Sequence, residues 1–194
     1  MPTTAPIPGF MDVDWSRLPR PQDDGAARHL PGSRVPLVAL PATDGPSVAL
    51  GELPGRSVVY IYPMTGRPDV ALPEGWDAIP GARGCTPQAC AFRDHHAELI
   101  AAGADRIFGL STQDTDYQRE AAERLHLPFP LLSDAALRLT TALRLPVMLV
   151  GGVTLLKRMA LIIEDGVIAH VFYPVFPPDQ NAAEVLGWLR ARQE

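Results

Sequence analysis

The run Ser57-Val58-Val59-Tyr60-Ile61-Tyr62 is apolar at consecutive positions, rich in β-branched and aromatic residues, and stops at Pro63. A strand with one face in water alternates apolar and polar residues. A run without that alternation belongs to a strand covered on both faces. The segment is therefore predicted as a central strand with layers packed above and below it. A second strand is predicted at Arg106-Ile107-Phe108-Gly109-Leu110-Ser111, after an intervening helical stretch.

The rest of the chain extends this alternation. Val35 to Leu40 and Ser47 to Leu50 flank Asp44-Gly45 and predict a small hairpin. A helix is expected after Cys85, with Thr86 as N-cap, Pro87 at the first helical position, and apolar Ala89, Phe92, Leu99 and Ile100, ending near Gly103. Another runs from Thr115 to Leu125, capped by Asp114 or Thr115. Pro128 to Asp134 reads as a short extended piece leading into a helix from Ala135 to Leu143, which Pro146 terminates. Leu155 to Ile163, a turn at Glu164-Asp165-Gly166, Val167 to Tyr173 and a closing helix from Asn181 to Ala191 complete the pattern. The fold class is α/β, with a mixed central sheet, helices on both faces and an N-terminal β-hairpin. Residues 1–34, rich in Pro, Gly, Asp and Arg, read as an extended segment from which Phe10, Met11 and Trp15 could dock, and residues 35–194 as one domain.

Composition narrows the function. The net charge is −5 and basic residues are scattered, so no basic face exists to neutralise the phosphates of a nucleic acid. No apolar run approaches the roughly 20 residues of a membrane span. Met1 to Pro8 lacks a secretory pattern, so the expected compartment is the cytoplasm, where the two cysteines rest reduced.

Those cysteines lie in Gly84-Cys85-Thr86-Pro87-Gln88-Ala89-Cys90-Ala91-Phe92-Arg93-Asp94, where a turn-rich loop becomes a helix. Cys85 falls at the helix start, where unpaired backbone N–H groups and the positive end of the macrodipole favour a thiolate. It is the candidate nucleophile. Cys90 taken alone reads equally as core or as a second reactive thiol. In one regular helix, five residues separate two Cα atoms by roughly 8.6 Å, whereas a disulfide needs less than roughly 7 Å. A bond between the two thus requires the first turns to unwind, which suits a cycle with two conformations. Metal binding is not expected: the spacing is not a zinc knuckle, and His95 and His96 lie on the body of the helix. Residues 64–84, dense in turn formers with Trp76 as an anchor, read as a lid or contact loop. Arg158 begins an otherwise apolar run, a setting in which guanidinium needs an anionic partner such as a thiolate.

From Pro36 to the last helix the chain resembles the thioredoxin-fold peroxidases, most closely the Q-type peroxiredoxins, also called bacterioferritin comigratory proteins. The resemblance lies in Leu40 to Gly45, the strand closing at Tyr62-Pro63, the cysteine motif, Phe108 to Ser111, and Leu127-Pro128-Phe129-Pro130-Leu131-Leu132-Ser133-Asp134. It implies a thioredoxin-like fold, Cys85 as peroxidatic cysteine, Cys90 as resolving cysteine and Arg158 as the active-site arginine. It also implies a hydroperoxide substrate, a thioredoxin-like dithiol reductant, no cofactor, and a monomer or homodimer. Ala82 stands where the family has threonine, Ala78 where it has proline, and Gln88 where glutamate is common; Thr65 and Thr86 are candidates to replace the missing hydroxyl. The second function the sequence allows is a thioredoxin-fold redox sensor or disulfide-exchange protein.

Overall fold

The computed structural model describes residues 11–193. Seven strands form one mixed sheet: β1 (Ala39–Ala42), β2 (Gly45–Ala49), β3 (Arg56–Ile61), β4 (Arg106–Ser111), β5 (Leu131–Ser133), β8 (Met159–Glu164) and β9 (Val167–Phe172), in the order β2-β1-β5-β4-β3-β8-β9. The strands β6 (Val147–Val150) and β7 (Val153–Leu156) form a separate two-stranded sheet. The helices are α1 (Cys85–Asp94), α2 (His96–Ala101), α3 (Thr115–Arg124), α4 (Arg138–Leu143) and α5 (Asn181–Arg190).

As its sequence requires, β3 is interior. It runs parallel to β4, with Val59 opposite Phe108, and antiparallel to β8, with Val59 opposite Leu161. Alternate residues of β3 enter two cores. Val58 and Tyr60 face Phe92, Leu99, Val185 and Leu189 of α1, α2 and α5. Val59 and Ile61 face Leu139 and Leu143 of α4 together with Leu30 and Val35. Tyr60 stacks on Phe92 with ring centroids 4.6 Å apart and meets Phe129 edge-on at 5.7 Å. Such pairs add about 0.5–1.5 kcal/mol beyond area burial. Gly109 makes room for that cluster, because a Cβ there would lie 2.7 Å from the Tyr60 ring.

Several boundaries differ from the sequence reading for physical reasons. Gly84, not Thr86, occupies the N-cap of α1, without a side-chain cap, so Pro87 falls at the third helical position. That position still lies among the first-turn amides that have no intrahelical acceptor, so proline is tolerated. The expected single helix to Gly103 is interrupted at His95, which ends α1 and begins α2. The run from Leu155 to Ile163 is not one strand: β7 pairs with β6, β8 pairs with β3, and the chain changes sheets at Lys157-Arg158. Asp134 holds the start of α4, its carboxylate accepting from Leu139 N at 3.1 Å and Thr140 N at 2.7 Å. Phe10 lies outside the described residues. No described helix is long and apolar enough to cross a membrane.

Candidate active site

Beyond the carboxyl end of β3 the chain enters the long loop and returns at Gly84, whose φ of +111° is a conformation that glycine adopts readily. Cys85 is consequently the first residue of α1. The amides of Cys85 and Thr86 have no acceptor within the helix, while Gln88 N donates to Gly84 O at 3.0 Å and closes the first turn.

Arg158 arrives from the switch between sheets. It is only 3% exposed, and its guanidinium is enclosed by the loop that precedes Cys85. Nη2 donates toward the carbonyls of Gly81, Ala82 and Arg83 at 3.2, 3.0 and 3.2 Å and lies 3.2 Å from Cys85 Sγ. Nη1 donates to Gln88 Oε1 at 2.6 Å. A buried guanidinium without a counter-charge is costly. Among these contacts, Cys85 Sγ alone can become anionic, since the others are neutral amides. The two sequence candidates farthest apart in the chain are thus brought into contact, and Cys85 itself is 4% exposed.

Gln88 is completed by a residue the sequence reading did not single out. Its Nε2 donates to Asn181 Oδ1 at 3.0 Å, at the start of α5, and both side chains are fully buried. Arginine can only donate, so Gln88 must turn Oε1 to Arg158 and Nε2 to an acceptor. Asn181 supplies that acceptor through Oδ1, while its own buried Nδ2 has no hydrogen-bond partner among the described residues. The pair is 93 residues apart, and no local pattern announces it.

Cys90 sits further along α1, 3% exposed, and both cysteines are free thiols. Burial pushes the Cys90 thiol above the ordinary cysteine value, so it rests protonated near neutral pH. The regular helix between the two cysteines keeps their Cα atoms about 8.6 Å apart, too far for a bond without unwinding.

A cleft of about 10 Å³ reaches Cys85, lined by Met64, Trp76, Arg83 and Thr86 among others. That is room for about one water molecule. Thr86 therefore brings a hydroxyl-bearing residue to the cleft. Ala82, where the resemblance led to the expectation of a threonine, is buried in a small apolar cluster with Trp76, Val150 and Leu155. Trp76 ties the long loop to the β6–β7 hairpin, and Gln113 fixes the loop's beginning by bonding Thr65 N and O at 2.9 and 3.2 Å.

The Redoxin family model matches residues 30–186. A chloroplastic peroxiredoxin Q of Oryza sativa subsp. japonica is 33% identical over 162 residues, a match that spans 82% of this chain and 66% of the rice protein. The Coxiella burnetii protein named peroxiredoxin bcp is 30% identical, over 81% of this chain and 97% of its own. Among solved structures, the peroxidoxin BcpB of Mycobacterium tuberculosis superposes with a TM-score of 0.66 at 27% identity, covering 84% of this chain and 98% of that one.

Proposed function

The chain belongs to the Redoxin family as a peroxiredoxin of the Q type, and from that premise we propose that it reduces hydroperoxides with Cys85 as nucleophile, Arg158 as electrostatic partner and Cys90 as resolving thiol. The contact between Arg158 Nη2 and Cys85 Sγ carries this reading. The Cys85 thiolate attacks one oxygen of the O–O bond. An S–O bond forms, the O–O bond breaks, and the alkoxide or hydroxide leaves and takes up a proton. Arg158 donates to the sulfur before attack and to the oxygens as charge moves onto them, the role of an oxyanion hole. First-turn amides of α1 add to that field.

Cys85 is then a sulfenic acid. The Cys90 thiol condenses with it, forming the S–S bond and releasing water. Because both cysteines belong to α1, this step needs the first turn to unwind. A thioredoxin-like dithiol would return the disulfide to two thiols and leave as a disulfide itself. In this reading the protein works in a reducing cytoplasm as a monomer or homodimer.

Thiol counting tests the reading. One equivalent of hydrogen peroxide should take the reduced protein from two free thiols to none within the mixing time of a bench assay. Peptide mapping should place a disulfide between Cys85 and Cys90, and thioredoxin with its reductase should restore both thiols. Slow thiol loss with peroxide, together with fast reaction with disulfide substrates, would replace the peroxidase reading by disulfide exchange.

A further inference from the structure

The stretch before the matched family region lies on the loop that holds Cys85. Residues Trp15–Arg17 form a short 3₁₀ turn that Asp14 caps, accepting from Ser16 N at 3.1 Å. From that turn the Trp15 indole reaches Gly84: a Cβ on this glycine would lie 2.8 Å from Trp15 Cη2 and 2.6 Å from Pro178 Cγ. The indole is fixed by its Nε1–H, which donates to Asp179 Oδ2 at 3.1 Å, and by an edge-on contact with Phe176, ring centroids 6.2 Å apart. Arg20 lies over the Phe176 ring at 5.1 Å, and Pro21 reaches within 3.5 Å of a Cβ placed on Gly81. Further on, Asp24 accepts from Lys157 Nζ at 2.7 Å and from Tyr173 Oη at 2.8 Å, and Leu30 is fully buried beneath the sheet.

Residues 15–21 therefore touch Gly81 and Gly84 from outside, while Arg158 binds the carbonyls of residues 81–83 from inside. We propose that Trp15 is a positioning residue, the head of a strap that holds the residue 81–84 loop and the first turn of α1 in the conformation that presents Cys85. The strap thereby sets how often that turn opens. Moving Cys85 toward Cys90 swings Gly84, and Trp15 and Pro178 pack against the side of Gly84 where a Cβ would stand, so the swing has to part these contacts. The functional consequence rests on the resolving role proposed for Cys90. A tighter strap prolongs the life of the Cys85 sulfenic acid. A second hydroperoxide can then add its oxygen to that sulfur, giving a sulfinic acid and an alcohol or water, before Cys90 arrives.

The opening can be read without peroxide. In a Cys85→Ser background Cys90 is the single thiol, and its buried sulfur reacts with N-ethylmaleimide only when the helix opens. Replacing Trp15 by Ala removes an aromatic contact and a hydrogen bond, and the labelling rate is expected to rise about tenfold. Trp15→Phe keeps most of the ring contact without the Nε1–H donor, and a rise of about threefold is expected. Amide exchange in β3 and β8 should be the same in all three proteins. Labelling that stays constant, or that rises only in step with exchange in β3 and β8, would overturn the strap. A tenfold rise in a protein whose parent fails the thiol-counting test would leave the strap standing and remove the peroxidase reading.

Discussion

Replacing Cys85 by serine is expected to reduce peroxide consumption by about 10³-fold or more, the scale on which enzymes lose activity when the nucleophile is removed. The fold should survive. Cys85 Sγ touches Arg158 Nη2 at 3.2 Å and Ala82 O at 3.7 Å, and a hydroxyl can accept from the first and donate to the second. The substitution therefore removes the ionisable nucleophile and little else, since a serine hydroxyl does not ionise near neutral pH. The measurement is peroxide consumption coupled to thioredoxin oxidation, read beside the thermal midpoint. Retained turnover in the serine protein would transfer the chemistry to another residue and dissolve the role assigned to the start of α1.

The second large effect concerns Arg158. Its replacement by alanine should slow the reaction by about 10²-fold, the cost of losing one donor aimed at developing charge. It should also destabilise the protein by about 2 kcal/mol, because Gln88 Oε1 and the carbonyls of residues 81–83 lose their donor inside a closed loop. The two effects can be separated. Arg158→Lys keeps the positive charge but not the planar fork, so it cannot serve Gln88, the carbonyls and the sulfur together. It should recover most of the stability and remain about tenfold slower than the parent. Single-turnover oxidation of Cys85, followed by tryptophan fluorescence or by quenched thiol counting, gives the rates. An unchanged rate in Arg158→Ala at full stability would show that the guanidinium only braces the loop.

Much of the scaffold was legible because apolar burial leaves a periodic trace. The strand at Arg106–Ser111 matches its sequence pattern to the residue, and of the two caps the pattern allows for the helix from Thr115, Asp114 is the one in place, its carboxylate accepting from Tyr117 N at 2.8 Å. What the sequence hid depends on contacts between distant residues. The β6–β7 hairpin has no counterpart in the sequence pattern. Its Val147, Leu149 and Val153 are exposed, so its hydrophobicity does not report burial, and the tight turn at Gly151-Gly152 is the local signal that could have found it. The break at Lys157-Arg158 is hidden within one apolar run because a pattern of side chains cannot say that the chain leaves one sheet for another.

At the site, Cys85 and Arg158 could be named from local oddities: a cysteine after glycine at a helix start, and a charge opening an apolar strand. Their partners left no such mark. The sequence pattern makes Asn181 the first residue of a helix, and its second function appears only when α5 packs against α1 and meets Gln88. Trp15 stands out in its proline-rich stretch as an aromatic residue able to dock, but only the fold shows that its contact is Gly84. Thr86 looked like a helix cap by residue type, yet the glycine two positions earlier took that place because the chain must turn through positive φ to aim the sulfur at Arg158.

The central claim is that peroxide oxygen arrives first on Cys85 and that Cys90 removes it. In the Cys90→Ser protein, one equivalent of hydrogen peroxide followed by a dimedone-type sulfenic acid trap should give one adduct per chain, mapped by peptide mass spectrometry to Cys85, and none when the parent is treated alike after its disulfide has formed. Peroxide consumption at the parent rate with Cys85 found unmodified would contradict it.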